Sequence, residues 1–237
     1  MNLGSAAGNQ WRILSDAIDI SRGERARRAV RVAARGGDVI LDLAATAMIV
    51  IDMQDLFCRL RPGESAAPTA QPIRPLQELL PHLRERDVPV IWLNWGNRPD
   101  KLNQAPGVIH PFHRQGGPIP PILDKDSSDA AIIAGLVPEP SDIHIDKFRL
   151  SGFWDTELDS VLRNLRAQTL LFAGVNLDQC VYATLMDAHC LGYDCVLVED
   201  CAATRSPGFC TEATLYNVER GLGFVTTSAS LLGARPG

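Results

Sequence analysis

Three side chains far apart in the sequence could share one reaction: Cys180, Asp52 and Lys147. A thiol is a nucleophile once it loses its proton, a carboxylate can carry that proton, and an ammonium can hold both negative charges in place. Cys180 follows the apolar run Leu170–Val175 and a short polar turn, and it opens a helical pattern. A thiol there meets outward-pointing backbone N–H groups and a positive local field, which favours thiolate. The same N–H groups, at Asn176 and Cys180, could take an oxyanion. Each residue also has a plainer reading. A helix-start cysteine is often structural, a strand-terminal aspartate often caps a turn, and a lysine after a strand is often a surface charge.

The elements that must position these groups follow from periodicity. Short apolar runs at 47–52, 88–93, 143–147, 169–175, 194–199 and 223–226 read as strands. Helical patterns at 72–87, 155–166, 179–191 and 209–220 separate most of them, Thr156 and Asp159 resemble a capping box, and residues 128–134 suit a short helix. Alternation of this kind predicts a three-layer α/β/α domain on a six-stranded, mostly parallel sheet of Rossmann-like type. In such a sheet, ligands bind beyond the carboxyl ends of the strands. Asp52, Asn94 with Trp95, Lys147, Cys180 and Asp200 all fall there.

Residues 1–43 stand apart from the domain at 44–237. Trp11, Ile13, Leu14, Ala17 and Ile18 fit one helix face, so a helical, Arg-rich extension is expected. Arg22, Arg25, Arg27, Arg28, Arg31 and Arg35 are offset locally only by Glu24. They read either as an anion- or partner-binding arm or as a solvated face. The Pro- and Gly-rich stretch 94–141 reads as a lid, binding loop or oligomer contact.

Length and composition bound the rest. A chain of 237 residues can bury a large core without staples, and a net charge of −5 argues against nucleic-acid binding. No run has membrane-spanning length, and no signal pattern is seen. Six cysteines without a C-x-x-C pair suggest reduced thiols and a cytoplasmic protein.

Three blocks carry a resemblance to a known family: Ile49–Gln54, Asp146–Thr156 and Gly174–Val181. In order and spacing they resemble the isochorismatase-like cysteine hydrolases, over residues 45 to 230. The resemblance implies an Asp52–Lys147–Cys180 triad and a cis peptide at Val175–Asn176. It also implies a six-stranded parallel sheet between helices. The nicotinamidase-like branch carries an Asp-x-His metal pair. Here Asp100 has no His two residues on, so no metal and no cofactor are expected. His110 and His113, three apart, are the residual metal candidates. The isochorismatase proper lacks a cysteine at the nucleophile position, so Cys180 points to amide cleavage. The stretches 147–156 and 213–218 look most like the ureidoacrylate, biuret and N-carbamoylsarcosine amidohydrolases, with streptothricin hydrolases similar in kind.

The implied reaction is C–N cleavage in a small amide, ureido or carbamoyl compound through a thioester. Gln54, Phe57, Asn94, Trp95, Trp154 and Tyr216 are the candidate substrate contacts. A homodimer or tetramer is the expected assembly, with no nucleic-acid or membrane partner. The competing readings are a vinyl-ether hydrolase with an incidental thiol, a non-catalytic binding protein on the same fold, and a redox sensor pairing Cys180 with Cys201 or Cys210.

Overall fold

The computed structural model describes residues 1–6, 8–23, 26–109 and 123–237. Contrary to the expected helix, residues 1–43 form short strands: β1 (Asn2–Leu3), β2 (Trp11–Ile13), β3 (Ala17–Asp19), β4 (Ala29–Val32) and β5 (Asp38–Asp42). Then come the six strands of the main sheet: β6 (Thr46–Ile51), β7 (Val90–Trp95), β8 (Ile143–Lys147), β9 (Thr169–Val175), β10 (Asp194–Ala203) and β11 (Gly223–Thr226). A last short strand, β12 (Arg235–Pro236), pairs antiparallel with β4 at the edge of the first sheet.

The main sheet runs β11-β10-β9-β6-β7-β8, and every pairing is parallel. The central strands β6 and β9 are buried on both faces, as a covered parallel sheet requires, while the edge strand β8 alternates, exposing His144 and Asp146. In β6, Met48 and Val50 enter one core while Ala47, Ile49 and Ile51 enter the other. That period of two divides the core cleanly. On the first face lie α2 (Ile73–Arg84) and α7 (Ser228–Leu232), and the N-terminal sheet contributes Ile20, Val39 and Leu41 to the same core. On the second face lie α4 (Leu158–Asn164) and α5 (Tyr182–Cys190). Three further helices, α1 (Asp55–Cys58), α3 (Pro106–Ile109) and α6 (Gly208–Asn217), complete the set among the described residues. The three-layer α/β/α expectation agrees with this architecture.

Helix ends differ from the pattern reading for a common reason. Asp87 and Arg166 adopt left-handed backbone, with φ of 49° and 56°. At each, the next residue's N–H reaches back five residues: Val88 to the Leu83 carbonyl and Ala167 to the Leu162 carbonyl, both at 3.0 Å. These are Schellman closures without glycine, so the helical pattern runs into its own cap. The capping box is not formed. The Thr156 hydroxyl accepts the Leu158 N–H at 3.1 Å, while Asp159 is engaged by Arg163 and Tyr193. The expected helix at 128–134 is a single 3-10 turn, Ser128–Ala130.

The N-terminal sheet is stitched to the domain through its charges. Arg22 pairs with buried Asp194, whose other oxygen accepts the Trp11 indole N–H at 3.1 Å. Arg28 meets Asp87 and Arg35 meets Glu199 across to the domain, whereas Arg31 pairs within the N-terminal sheet with Asp16 and Asp38. Arg22, Arg28, Arg31 and Arg35 are therefore answered by the chain's own carboxylates rather than left open to an anion, while Arg27 meets Asp42 through its backbone N–H. Arg25 lies outside the described residues.

Candidate active site

The strand order places the reactive side chains at one sheet edge. Asp52 follows β6 directly and turns with φ of 51°, a left-handed conformation that aspartate tolerates better than most residues. Its N–H donates to the Leu93 carbonyl at 3.0 Å. Lys147 is the last residue of β8, two strands away, and Trp95 ends the intervening β7. Gly174 lets β9 close on β6. A Cβ there would sit 2.0 Å from the Ile51 carbonyl oxygen, so only glycine fits. The Val175–Asn176 peptide that follows is cis.

Lys147 Nζ lies 2.8 Å from Asp52 Oδ2, and both side chains are fully buried. The ammonium also donates to the Arg149 carbonyl at 3.1 Å and stands 4.2 Å from the centroid of the Trp95 ring. Cys180 is buried within side-chain interaction range of both Asp52 and Lys147. Its carbonyl accepts the Thr184 hydroxyl at 2.7 Å, and that same hydroxyl accepts the Gly152 N–H at 3.1 Å. The middle sequence block is thereby docked on α5, directly after the turn that carries the thiol.

The protonation pattern differs from the sequence expectation. Cys180 lies within a π-helical turn, Leu177–Val181, ahead of α5, rather than at the first residue of a helix. Burial pushes its thiol up to about 12, Lys147 draws it down and Asp52 raises it again. Desolvation thus outweighs the pull of Lys147 and favours the neutral thiol. Burial also pushes Asp52 up from the usual carboxylate range, against the pull of Lys147. For Lys147, burial works against the ammonium, but attraction to Asp52 and Cys180 wins and moves it up. The pair therefore binds protons tightly as a unit: Lys147 stays an ammonium, and Asp52 is the member ready to accept one more.

The candidate substrate contacts separate into three groups. Gln54 is fully buried, lines the smaller of the two cavities described next, and is held by the scaffold. Its Nε2 donates to the Trp95 and Ala130 carbonyls at 2.8 Å each, and its Oε1 accepts the Trp95 N–H at 2.9 Å. Phe57 is half-buried against both cores. Tyr216, on α6, is 65% exposed and lines neither cavity described next. Trp95 is the shared wall of two cavities. One, of about 240 Å³, includes Asn94, Lys125 and Asp146. The other, of about 820 Å³, is mainly apolar and is lined by Trp154, Tyr182, Met186 and Gln179, the neighbour of Cys180. Trp154 is 63% exposed and fixed by its indole N–H to Asp187 at 2.8 Å.

Sequence reasoning missed Thr204 and Arg205. It ended the fifth strand at Asp200, whereas β10 continues to Ala203. Asp200 instead accepts the backbone N–H and hydroxyl of Ser228, at 2.7 and 2.5 Å, at the start of α7. The strand-end rule, applied at the true boundary, finds Thr204. Asp178 does not cap its own helix: its Oδ1 accepts the Thr204 hydroxyl at 2.6 Å.

All six cysteines are free, and Cys201 belongs to the core on the first face while Cys180 belongs to the second. A Cys180–Cys201 redox pair would have to cross the sheet. Among the described residues, no group of three or more His, Cys, Asp or Glu is placed to hold a metal ion, and no helix is long and apolar enough to cross a membrane. His110 and His113 lie outside the described residues.

A parallel α/β/α sheet with aspartate, lysine and cysteine gathered beyond its strand ends defines a recognisable class. The isochorismatase domain model matches residues 46–230, and the chain belongs to that family. Among relatives, it is 32% identical over 215 residues to the ureidoacrylate amidohydrolase RutB of Rhizobium rhizogenes, covering 84% of this chain and 87% of the relative. Among solved structures, it resembles a cysteine hydrolase from Pseudomonas syringae pv. phaseolicola with a TM-score of 0.70 and 28% identity, over 81% of this chain and 93% of that one. The fold is shared with the N-carbamoylsarcosine amidase of Thermoplasma acidophilum, with a TM-score of 0.64 and 24% identity over 77% and 96% of the two chains.

Proposed function

We propose that this protein is a cysteine amidohydrolase that needs no metal and cleaves a C–N bond in a small amide, ureido or carbamoyl compound. The observation that carries the reading is the meeting of Asp52, Lys147 and Cys180, buried together from three separate strand ends. The relatives' names support the substrate class.

In this mechanism Asp52 takes the thiol proton as Cys180 Sγ attacks the carbonyl carbon. The raised proton affinity of Asp52 suits it to the task, and Lys147 remains an ammonium throughout. Backbone N–H groups of Asn176 and Cys180 hold the oxyanion. Asp52 passes its proton to the leaving nitrogen, the C–N bond breaks, and a thioester remains. Water then attacks the thioester while Asp52 accepts its proton, and the acid product leaves as the thiol re-forms. The apolar cavity beside Trp95 and Gln179 receives the rest of the substrate and keeps bulk water from the reacting groups.

An ammonia-release screen over small amides, ureas and carbamoyl acids tests the reading, with wild type and Cys180→Ala side by side. At least one class should turn over, and the variant should fall by roughly 10³-fold or more. Wild-type turnover by Cys180→Ala sinks the proposal.

A further inference from the structure

The turn before Cys180 is tied to the segment after Asp52 by two residues outside the triad. Strand β10 pairs with β9 in two registers, Leu197 opposite Phe172 and then Ala202 opposite Gly174. Five residues advance on β10 while two advance on β9. The extra length delivers Ala203 opposite Val175, and hence Thr204 beside Asn176. The Thr204 hydroxyl donates to Asp178 Oδ1 at 2.6 Å and reaches Asn176 Oδ1 at 3.5 Å. The Arg205 N–H donates to the same Asn176 oxygen at 3.3 Å. Both flanks of the turn are thus held by one dipeptide.

The Arg205 side chain reaches the other way. Its Nη2 donates to the Arg59 carbonyl at 2.7 Å and its Nε to the Phe57 carbonyl at 3.4 Å. Its Nη1 pairs with Glu64, whose carboxylate also accepts the Arg61 N–H at 2.9 Å. With only 13% of its side chain exposed, the guanidinium spends its fork on the 57–64 segment. Arg205 thus bonds both segments, the turn through its backbone N–H and 57–64 through its guanidinium.

We propose that Thr204 and Arg205 are positioning residues for the reaction, fixing the oxyanion-binding turn at Asn176–Cys180 against the 57–64 segment that follows Asp52. The inference rests on the hydrolase reading above. It adds that turnover depends on a clamp that never touches the thiol. A misplacement of about 1 Å in such a site costs on the order of 10²-fold in rate.

Thr204→Val keeps the shape and removes the donor, and Thr204→Ser restores it. Steady-state ammonia release should show kcat down by roughly 10- to 100-fold in Thr204→Val, with KM within about twofold, and most of the loss recovered in Thr204→Ser. A second readout needs no turnover: the rate of Cys180 alkylation by iodoacetamide, followed by mass spectrometry. It should rise at least about threefold in Thr204→Val, as the loosened turn exposes the thiol, and return in Thr204→Ser. Unchanged kcat and alkylation in Thr204→Val would overturn the clamp. So would a loss that Thr204→Ser fails to recover. If no compound in the screen turns over, or Cys180→Ala stays active, the hydrolase reading fails by itself, and the alkylation comparison still decides whether Thr204 holds the turn.

Discussion

Asp52 and Lys147 form a fully buried ion pair across an intervening strand, with 2.8 Å between carboxylate and ammonium. The two charges compensate one another where water cannot. Removing one partner leaves the other stranded, at a cost of about 3–5 kcal/mol. Lys147→Met should lower stability by that order, at the lower end because Asp52 can take up a proton. The double variant Asp52→Leu/Lys147→Met should regain most of it. Neither should release ammonia. Urea unfolding measures the first effect and turnover the second; a single variant as stable as wild type contradicts the pairing.

The buried thiols set an alkaline limit on stability. Burial pushes Cys58 and Cys180 from 9.0 up to about 12, and it moves Cys195 and Cys201 up as well. Above pH 9 the unfolded chain releases these protons while the folded chain keeps them. Stability is therefore fully present below pH 9 and is lost as pH rises toward 12. Each thiol contributes a slope of about 1.4 kcal/mol per pH unit in that window. Urea midpoints should be flat from the thiols' side below pH 8 and fall above 9. Cys201→Ala should make the fall shallower than in wild type, and equal slopes would count against this account.

Trp154 stands at the wall of the larger cavity, braced by Asp187. If substrate lies against it, Trp154→Ala removes contact but not chemistry. KM should rise about tenfold or more, with kcat within about twofold. The check is steady-state kinetics on the best substrate of the screen. An unchanged KM removes Trp154 from the binding surface.

Arg22 and Asp194 anchor the N-terminal sheet. Burial pushes the Asp194 carboxyl up, and Arg22 is the charge that opposes this. Arg22→Ala should cost about 3 kcal/mol in urea unfolding, and Arg22→Ala/Asp194→Asn should cost less than the single change. A surface-like effect under about 1 kcal/mol would show that the tether is not what holds the sheet.

The main sheet was legible because its central strands β6 and β9 are near-continuous apolar runs, buried on both faces, and β10 opens with another, Cys195–Val198. The meeting of Asp52, Lys147 and Cys180 was legible because strand ends in a parallel sheet converge, whatever lies between them in sequence. The N-terminal sheet was not. Its strands are two to five residues long, and Trp11, Ile13, Ala17 and Ile18 mimic a helix face over so short a span. The turn residues at Gly4, Gly8 and Gly23, all with positive φ, carried the contrary signal. Gln54, which lines the smaller cavity, has a second task that spacing did not show. A polar side chain after a catalytic-looking aspartate resembles a substrate contact, but here it pairs with backbone groups of Trp95 and Ala130 that would otherwise be buried unpaired. The state of Cys180 turned on desolvation, which depends on a packing that spacing does not encode.

Strand β12 closes the N-terminal sheet with three backbone-level contacts: Arg235 opposite Arg31, Pro236 opposite Val30, and the Gly237 N–H donating to the Ala29 carbonyl at 3.0 Å. On the ribosome, β4 emerges roughly two hundred residues before the segment that covers it. Until residues 235–237 are made, its outer edge offers unpaired amides to any passing strand. The nascent chain is thus most exposed to intermolecular pairing at the end it completed first, and a fusion that holds back those three residues would prolong that interval.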